Sequence, residues 1–243
     1  MKIAIIPARG GSKRIPRKNI KNFCGKPIIA WSIEAAKVSN LFDYIMVSTD
    51  DAEIAWVAKQ CGAEVPFMRP SDLSDDYVGT GAVVKHAVKW AIKNLGEVEI
   101  TCTIYATAPF IKSTDLKNGL ELLLESGSQI SFTLTSFPFP IQRAIKIEKN
   151  GRVAMFQPEH YKTRSQDLEP AYHDAGQFYW ARTNALLNEV SSFSDAAVPL
   201  ILPRCQVQDI DTVEDWQRAE LMFEAWRMLD CSAGGIDKLR TIF

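Results

Sequence analysis

The chain has 243 residues, 47% of them hydrophobic and 23% charged, and a formal net charge of -1. That length and apolar content suit one large α/β domain, alone or with an insertion, and exclude an unfolded chain. The near-neutral balance argues against nucleic acid as a partner, and no apolar run approaches the ~18–20 residues of a membrane span.

Residues 2–6, KIAII, read as a buried strand with no signal-peptide apolar region before it, which points to the cytoplasm. The five scattered cysteines (24, 61, 102, 205 and 231) lack CxxC spacing and read as reduced thiols. Residues 28–38 have helical spacing, with Pro27 suited to the first turn. Residues 44–49 form a second buried strand that ends at Asp50-Asp51, where a helix starts that closes on Gly62. Residues 63–70 are extended, 79–96 are a long amphipathic helix, and a third buried strand stops at Pro109. A Ser/Thr-capped helix from residue 113 and a strand within 128–137 follow. This alternation predicts a mostly parallel sheet with helices on both faces.

The rhythm breaks at 137–172, a Pro-rich and aromatic stretch containing a hairpin that turns at Asn150-Gly151. It reads as an insertion within a single 1–243 domain, serving as substrate lid, dimer arm or both. "QFYWA" returns to strand, "VPLILP" adds another, and "DIDTVEDW" leads into a C-terminal helix.

The stretch most in need of explanation is "PARGGSKRIPRKN", residues 7–19. It follows the first strand and so lies at the strand's C-terminal end, where parallel sheets bind ligands. Gly10 and Gly11 allow amides to converge on an anion, Ser12 adds a hydroxyl, and Arg9, Lys13, Arg14, Arg17 and Lys18 add charge. A solvated basic turn is the bland alternative; the paired glycines, the position and the absence of acids favour a triphosphate or pyrophosphate. Neither GxxxxGK[ST] nor GxGxxG is present, and Pro16 delays any helix.

Asp209 and Asp211 stand two apart, so in an extended segment they face one side and suit a hard cation; Asp211 as a helix cap is the alternative. Asp50 is a ribose or metal candidate that capping explains equally well, and Asp75 and Asp76 read as loop acids. His173 and Asp174 are neighbours, but adjacent strand residues point apart, which favours substrate hydrogen bonding over proton transfer. His86 reads as a packing or surface residue; His160 has no evident partner.

"IIPARGGSKRIPRKNI" closely resembles the signature loop of the CMP-sialic acid synthetase family, cytidylyltransferases that activate nonulosonic acids. The resemblance continues through "GKPIIAWSIEAA", "VSTDD", "FMRPSDLSDD" and "DIDTVEDW", the last shared with CMP-Kdo synthetases, and covers nearly the whole chain. "YATAPF" and "HDAGQFYW" resemble the branch that acts on pseudaminic acid. The resemblance implies a Rossmann-like nucleotidyltransferase fold, CTP as substrate, Mg2+, and a homodimer formed through the inserted arm. It implies that Arg9, Gly10, Gly11, Ser12, Lys13, Lys18 and Asn19 hold the nucleotide, with Arg69 reading cytosine and Thr80 nearby. Asp209 and Asp211 become metal ligands; Arg9, Lys13 and Asp211 carry catalysis. Tyr105, Arg143, Arg164, His173, Asp174 and Gln177 fall at the sugar. Sialic-type enzymes commonly read "QPTSP" where this chain has "YATAP", and "NGS" where it has "DAGQ". Tyr105, Phe137, Phe139, Phe178 and Trp180 are candidate apolar walls for a sugar with a terminal methyl and two acylamino groups, and equally candidate core or interface residues. Rival readings are a sialic, legionaminic or Kdo enzyme, a non-catalytic sugar-nucleotide binder, and a glycosyltransferase using Asp209-Ile210-Asp211 as a DxD motif.

Overall fold

The computed structural model describes residues 1–75 and 78–231; Asp76 and the Cys231 side chain lie outside the described residues. Strand β1 (Lys2–Pro7) has no polar face. Its alternate side chains feed two cores: Ala4 and Ile6 pack on one face of the sheet, Ile3 and Ile5 on the other, all with 0% exposure. A strand buried on both faces belongs in the middle of a helix-covered parallel sheet, and each fully buried isoleucine contributes about 1.5–3 kcal/mol.

After β1 come a two-residue hairpin, β2 (Asn22–Phe23) and β3 (Lys26–Pro27), helix α1 (Ile28–Ser39), strand β4 (Tyr44–Ser48) and helix α2 (Ala52–Gln60). Helix α3 (Thr80–Leu95), β5 (Ile100–Ile104), α4 (Ser113–Ser126) and β6 (Ile130–Ser136) complete the regular alternation. The hairpin β7 (Ile145–Ile147) and β8 (Val153–Met155) precedes β9 (Tyr172–Arg182), α5 (Thr183–Leu187), β10 (Ala197–Ile201) and α6 (Val213–Cys231). The main sheet runs β10-β6-β9-β5-β1-β4. Only β9 is antiparallel to its neighbours β5 and β6. Helices α1, α2 and α4 cover the Ala4/Ile6 face, and α3 with α5 covers the other. Helix α6 closes a third cluster, in which Trp216 and Phe223 pack on Ile15, Phe23, Ile28 and Phe110.

The expected elements are present, with shifts at their ends. Asp51 caps α2 through Oδ1, which accepts from the Glu53 and Ile54 amides at 2.9 Å. That helix ends at Gln60 with Cys61 as cap, and Gly62 follows at φ 90°. Pro27 precedes the first turn of α1 and is not part of it. Ser113 is the first residue of α4 and not its cap; Lys112 holds the cap position, and its carbonyl accepts from Asp115 and Leu116. β5 stops at Ile104, five residues short of Pro109, because the chain turns at Ala106 and Thr107. The β7–β8 hairpin turns where expected: the Gly151 amide donates to the Glu148 carbonyl at 2.8 Å and the Arg152 amide to Asn150 Oδ1 at 2.9 Å. Between β6 and β9 the chain lies outside the main sheet and exposes Phe139 (79%) and Ile147 (77%). Phe178 and Trp180, proposed as sugar walls, are fully buried core residues; the Trp180 indole donates to the Leu116 carbonyl at 3.0 Å.

Gly119 shows how closely α4 approaches the sheet. A Cβ there would lie 2.8 Å from a Phe178 ring carbon and 3.0 Å from Trp180. Gly119→Val is expected to destabilise the fold by about 1–3 kcal/mol through overpacking, read as a lower urea midpoint; wild-type stability would mean that α4 can ride outward freely.

Candidate functional site

Strand β1 lies between β4 and β5, where the strand order reverses direction, so the loop that follows it opens into the crevice at the C-terminal edge. The loop is pinned along its length. The Ala8 amide donates to the Ser48 carbonyl (2.9 Å) and the Gly10 amide to Asp50 Oδ1 (2.9 Å). A side chain at Gly10 would place Cβ 2.8 Å from Asp51 Oδ2, so this close approach requires glycine. Ile15, 2% exposed, anchors the loop in the α6 cluster. Buried Asn19 donates through Nδ2 to the Arg9 carbonyl at 2.9 Å.

These constraints shape a cleft of about 490 Å³, lined by Arg9, Ser12, Lys13, Arg14, Lys18, Asn19, Arg69, Asp75, Thr80, Tyr105 and Asp211 among others. Arg9 reaches across to the Asp75 carbonyl (3.1 Å). Arg69, 6% exposed, is held by Ser48 through Nε (3.2 Å to Oγ) and through Nη2 on the carbonyl. Burial pushes its pKa down and nearby Asp50 opposes that shift. Thr80 is the first residue of α3, whose cap Gly79 supplies no side-chain acceptor and whose first turn carries no acid. The amide end of α3 therefore faces the cleft with its positive dipole unopposed from within the helix.

The C-terminal segment reaches the same cleft. Ile210, 1% exposed, points into the α6 cluster and leaves Asp209 and Asp211 on the outer side, as period-two spacing requires. Lys18 Nζ donates to the Ile210 carbonyl (2.6 Å) and lies 3.4 Å from Asp211 Oδ1; Arg14 pairs with Asp211 Oδ2 at 3.0 Å. Desolvation and then the Asp211 carboxylate push the Asp209 carboxyl above its ordinary value, with Lys18 opposing them. Asp211 is not the cap of α6. Thr212 Oγ1 accepts from the Asp215 amide (3.1 Å), and Asp215 Oδ2 accepts from the Thr212 amide (2.8 Å), a reciprocal capping box one residue further on. Among the described residues, no group of three or more His, Cys, Asp or Glu is placed to hold a metal ion.

A second cavity of about 540 Å³ adjoins the first and shares Thr80 and Tyr105 with it; its other walls include Thr103, Ile130, Tyr179, Ala181, Leu186 and Val190. The Tyr105 and Tyr179 ring centroids lie 5.4 Å apart, and Tyr179 donates its hydroxyl to Asp174 Oδ2 at 2.6 Å. Burial, then Tyr105 and Asp174, hold the Tyr179 phenol well above its ordinary value, so it stays a donor. Asp174 Oδ1 accepts from the Gly176 amide (2.8 Å), within a register shift where β9 bulges against β6.

The residues expected at the sugar are not gathered together. Arg143 contacts Ser165 Oγ (3.2 Å) and Arg164 pairs with Asp167 (2.7 Å), both on the exposed stretch beyond β6 and outside both cavities. His173 turns Nδ1 to the Asp174 carbonyl (2.9 Å) and packs on Phe137. Gln177, 3% exposed, donates to the Gln206 carbonyl (2.6 Å). His86 packs edge-on against Phe67, and His160 Nδ1 lies 3.4 Å from Thr163 Oγ1. Conversely, Arg14, Asp75 and Tyr179 belong to the cavities and were not singled out as site residues. Arg14 was visible in the basic run; the backbone role of Asp75 leaves no mark in side-chain chemistry. Arg17 turns its charge away, onto Asp51 and Glu53.

A cleft of this form, with a basic glycine loop after the first strand and a helix amide end opposite, defines a nucleotidyltransferase-type α/β fold. The cytidylyltransferase family model matches residues 3–223. A pseudaminic acid cytidylyltransferase of Campylobacter jejuni is 46% identical over 91% of this chain and 96% of its own length. A CMP-N,N'-diacetyllegionaminic acid synthase of Legionella pneumophila is 34% identical over 91% and 96%. A solved CMP:2-keto-3-deoxy-manno-octonic acid synthetase complexed with CTP shares the fold (TM-score 0.66, 15% identity, 92% of this chain and 98% of that one). The chain belongs to the cytidylyltransferase family. No helix among its described residues is long and apolar enough to cross a membrane.

The capping box separates two roles that the spacing of the acids had merged. Thr212→Ala is expected to lower stability by about 1 kcal/mol and to leave the CTP dependence of the reaction unchanged. Kinetic damage without loss of stability would place Thr212 in the site itself.

Proposed function

We propose that the chain transfers the cytidylyl group of CTP to the anomeric hydroxyl of pseudaminic acid, releasing pyrophosphate. One observation carries this reading: the basic cleft of about 490 Å³ adjoins a second, largely apolar cavity of about 540 Å³, and Thr80 and Tyr105 line both. Two substrates of the required kinds therefore fit side by side. The name of the 46%-identical relative supports pseudaminic acid as the acceptor.

In this reading the anomeric oxygen attacks the α-phosphorus in line, and the bond from that phosphorus to the bridging oxygen of the β-phosphate breaks. The protein contributes position and charge. Arg9, Ser12, Lys13 and Lys18, with the Gly11 amide, hold the phosphates and meet the charge that builds on the leaving pyrophosphate; the Gly10 amide, expected to join them, is already given to Asp50 Oδ1. Asn19 and Arg69 fix ribose and base; Arg69 arrives pre-oriented by Ser48. Tyr105 and Tyr179 wall the sugar cavity, and Asp174 fixes the Tyr179 hydroxyl.

Asp209 and Asp211 would hold Mg2+. The fit rests on their chemistry: two neighbouring carboxylates, one of them lining the cleft, with Asp211 raising the proton affinity of Asp209. A divalent cation held there would relieve that repulsion. When bound, it would neutralise phosphate charge and acidify a coordinated hydroxyl.

Arg143 and Arg164 lie off the cleft of their own chain, on the arm that exposes Phe139, Ile147 and Val153. We place them at the sugar carboxylate of a second copy, in a cytoplasmic homodimer whose arms cross.

The acceptor is tested by a panel of pseudaminic, legionaminic, N-acetylneuraminic and Kdo acids with CTP and Mg2+, read by pyrophosphate release. The highest kcat/KM is expected with pseudaminic acid, because Tyr105 and the apolar cavity suit its methyl and acylamino groups. Equal or better turnover of N-acetylneuraminic acid would overturn that choice, and no release with any acid would favour a non-catalytic binder. Lys13→Ala is expected to fold normally and lose about 100-fold or more in kcat/KM. Chelation should abolish turnover and added Mg2+ restore it in the wild type, whereas Asp211→Ala should stay inactive at saturating Mg2+.

A further inference from the structure

Arg17 stands out in the loop on two counts. Its backbone lies at φ 57°, ψ 29°, a left-handed conformation that a residue with a Cβ rarely adopts. Its guanidinium, in the middle of a loop read as a phosphate cradle, does not line the cleft. It forks onto the Asp51 carboxylate, with Nη2 to Oδ1 at 2.9 Å and Nη1 to Oδ2, and also meets Glu53. Each partner acts on the other: the Asp51 contact holds the Arg17 pKa above its ordinary value, and Arg17 is the first cause of the lowered Asp51 pKa.

Asp51 and its neighbour Asp50, which follow β4, meet the other limb of the loop. Asp50 accepts the Gly10 amide at 2.9 Å, and Asp51 lies so close to Gly10 that no side chain fits there. Residues 11–16, including Ser12, Lys13 and Arg14, thus run between two attachments to the Asp50-Asp51 pair, with Ile15 seated separately in the α6 cluster. Lys18 and Asn19 follow Arg17 directly, and the left-handed turn starts the short helical segment Lys18–Ile20 that presents them. The neighbouring tie, Asn19 to the Arg9 carbonyl, joins the limbs to each other but not to the sheet.

We infer that Arg17 and Asp51 form a clamp that holds the basic loop in its nucleotide-binding shape, so that Arg17 is a positioning residue for CTP and not a phosphate ligand. The inference rests on the reading of this loop as the triphosphate cradle. A bidentate, partly buried pair is suited to this work, because the planar fork fixes direction as well as distance. Arg17 is then a basic residue in the motif whose charge is already matched by protein carboxylates, which leaves the incoming phosphates to its neighbours.

Two substitutions isolate the clamp. Arg17→Gly removes the guanidinium and frees the backbone at the left-handed position. Asp51→Asn removes the charge and keeps a good helix cap for α2. Each is expected to raise the Kd for CTP, measured by calorimetry without sugar, and the KM for CTP by roughly tenfold. kcat and the KM for the sugar acid should stay within about twofold, because neither residue touches the reacting atoms. The double variant should be no worse than either single one, as expected for partners in one interaction. Arg17→Lys should fall between wild type and glycine. Thermal midpoints measured in parallel separate loop geometry from global destabilisation, which would lower the apparent kcat through loss of folded enzyme and leave both KM values near wild type. Wild-type CTP affinity in both single variants would overturn the clamp alone. A wild-type chain that binds no CTP would overturn the cradle reading and the clamp with it.

Discussion

A triphosphate concentrates negative charge on a small group, and a helix-covered parallel sheet has few places to receive it. Its faces are buried and its strand backbones are fully paired. Only where strands end do amides, short loops and helix starts come free together. In this chain that condition is met beside β1, because β4 pairs on one side of it and β5 on the other. The loop after β1, Asp50 and Asp51 after β4, and Tyr105 after β5 are thereby delivered to one crevice. The amide end of α3 approaches from across the cleft. The deep burial of Ile3, Ala4, Ile5 and Ile6 thus also fixes where the loop begins.

The C-terminal segment is recruited by a separate set of contacts. Gln206, 4% exposed, donates to the Phe110 carbonyl at 3.3 Å and to Asp115, and its own carbonyl accepts from Gln177. Four residues later Ile210 enters the core, and Lys18 holds its carbonyl. A segment without regular structure is therefore fixed on both sides of Asp209. The lysine that ties it down belongs to the basic loop, so the two halves of the cleft share a residue and cannot be placed independently.

Local signals carried most of this architecture. The β-branched run at 2–6, the capping Asp51, the 3.6-residue spacing of α3 and the Asn-Gly turn each depend on near neighbours, and each was legible. Proximity in space was not. Asp209 and Asp211 gave no sign that Thr212 and Asp215 would take over the start of α6, since four acids and a threonine in the seven residues 209–215 allow several caps. Gln177 was read as a sugar contact because it stands in a motif; in the fold its amide secures Gln206. Arg17 counted as one more charge in the basic loop, and only the geometry shows that it is neutralised by α2. Phe178 and Trp180 are aromatic in the way that both binding walls and cores are, and the close approach of Gly119 settles them as core.

The direction of β9 explains why one edge of the sheet holds two different cavities. A strand running against its neighbours presents its beginning where they present their ends. Asp174 and Gly176, early in β9, therefore lie at the same edge as Tyr105 at the end of β5, and the Tyr105 amide pairs with the Gln177 carbonyl at 2.9 Å. The bulge adds residues on β9 between the Leu134–Asp174 and Phe132–Tyr179 pairs, which folds Asp174 back within reach of the Tyr179 hydroxyl. The Tyr179–Asp174 contact hangs on the reversed strand β9 and Tyr105 on the end of β5, while the basic loop hangs on β1. Because the Tyr179–Asp174 contact and the basic loop belong to different strands, residues early in β9 can change without removing the contacts that shape the loop. The exceptions are Tyr105 and Thr80, which line both cavities, so that substitutions there reshape both at once.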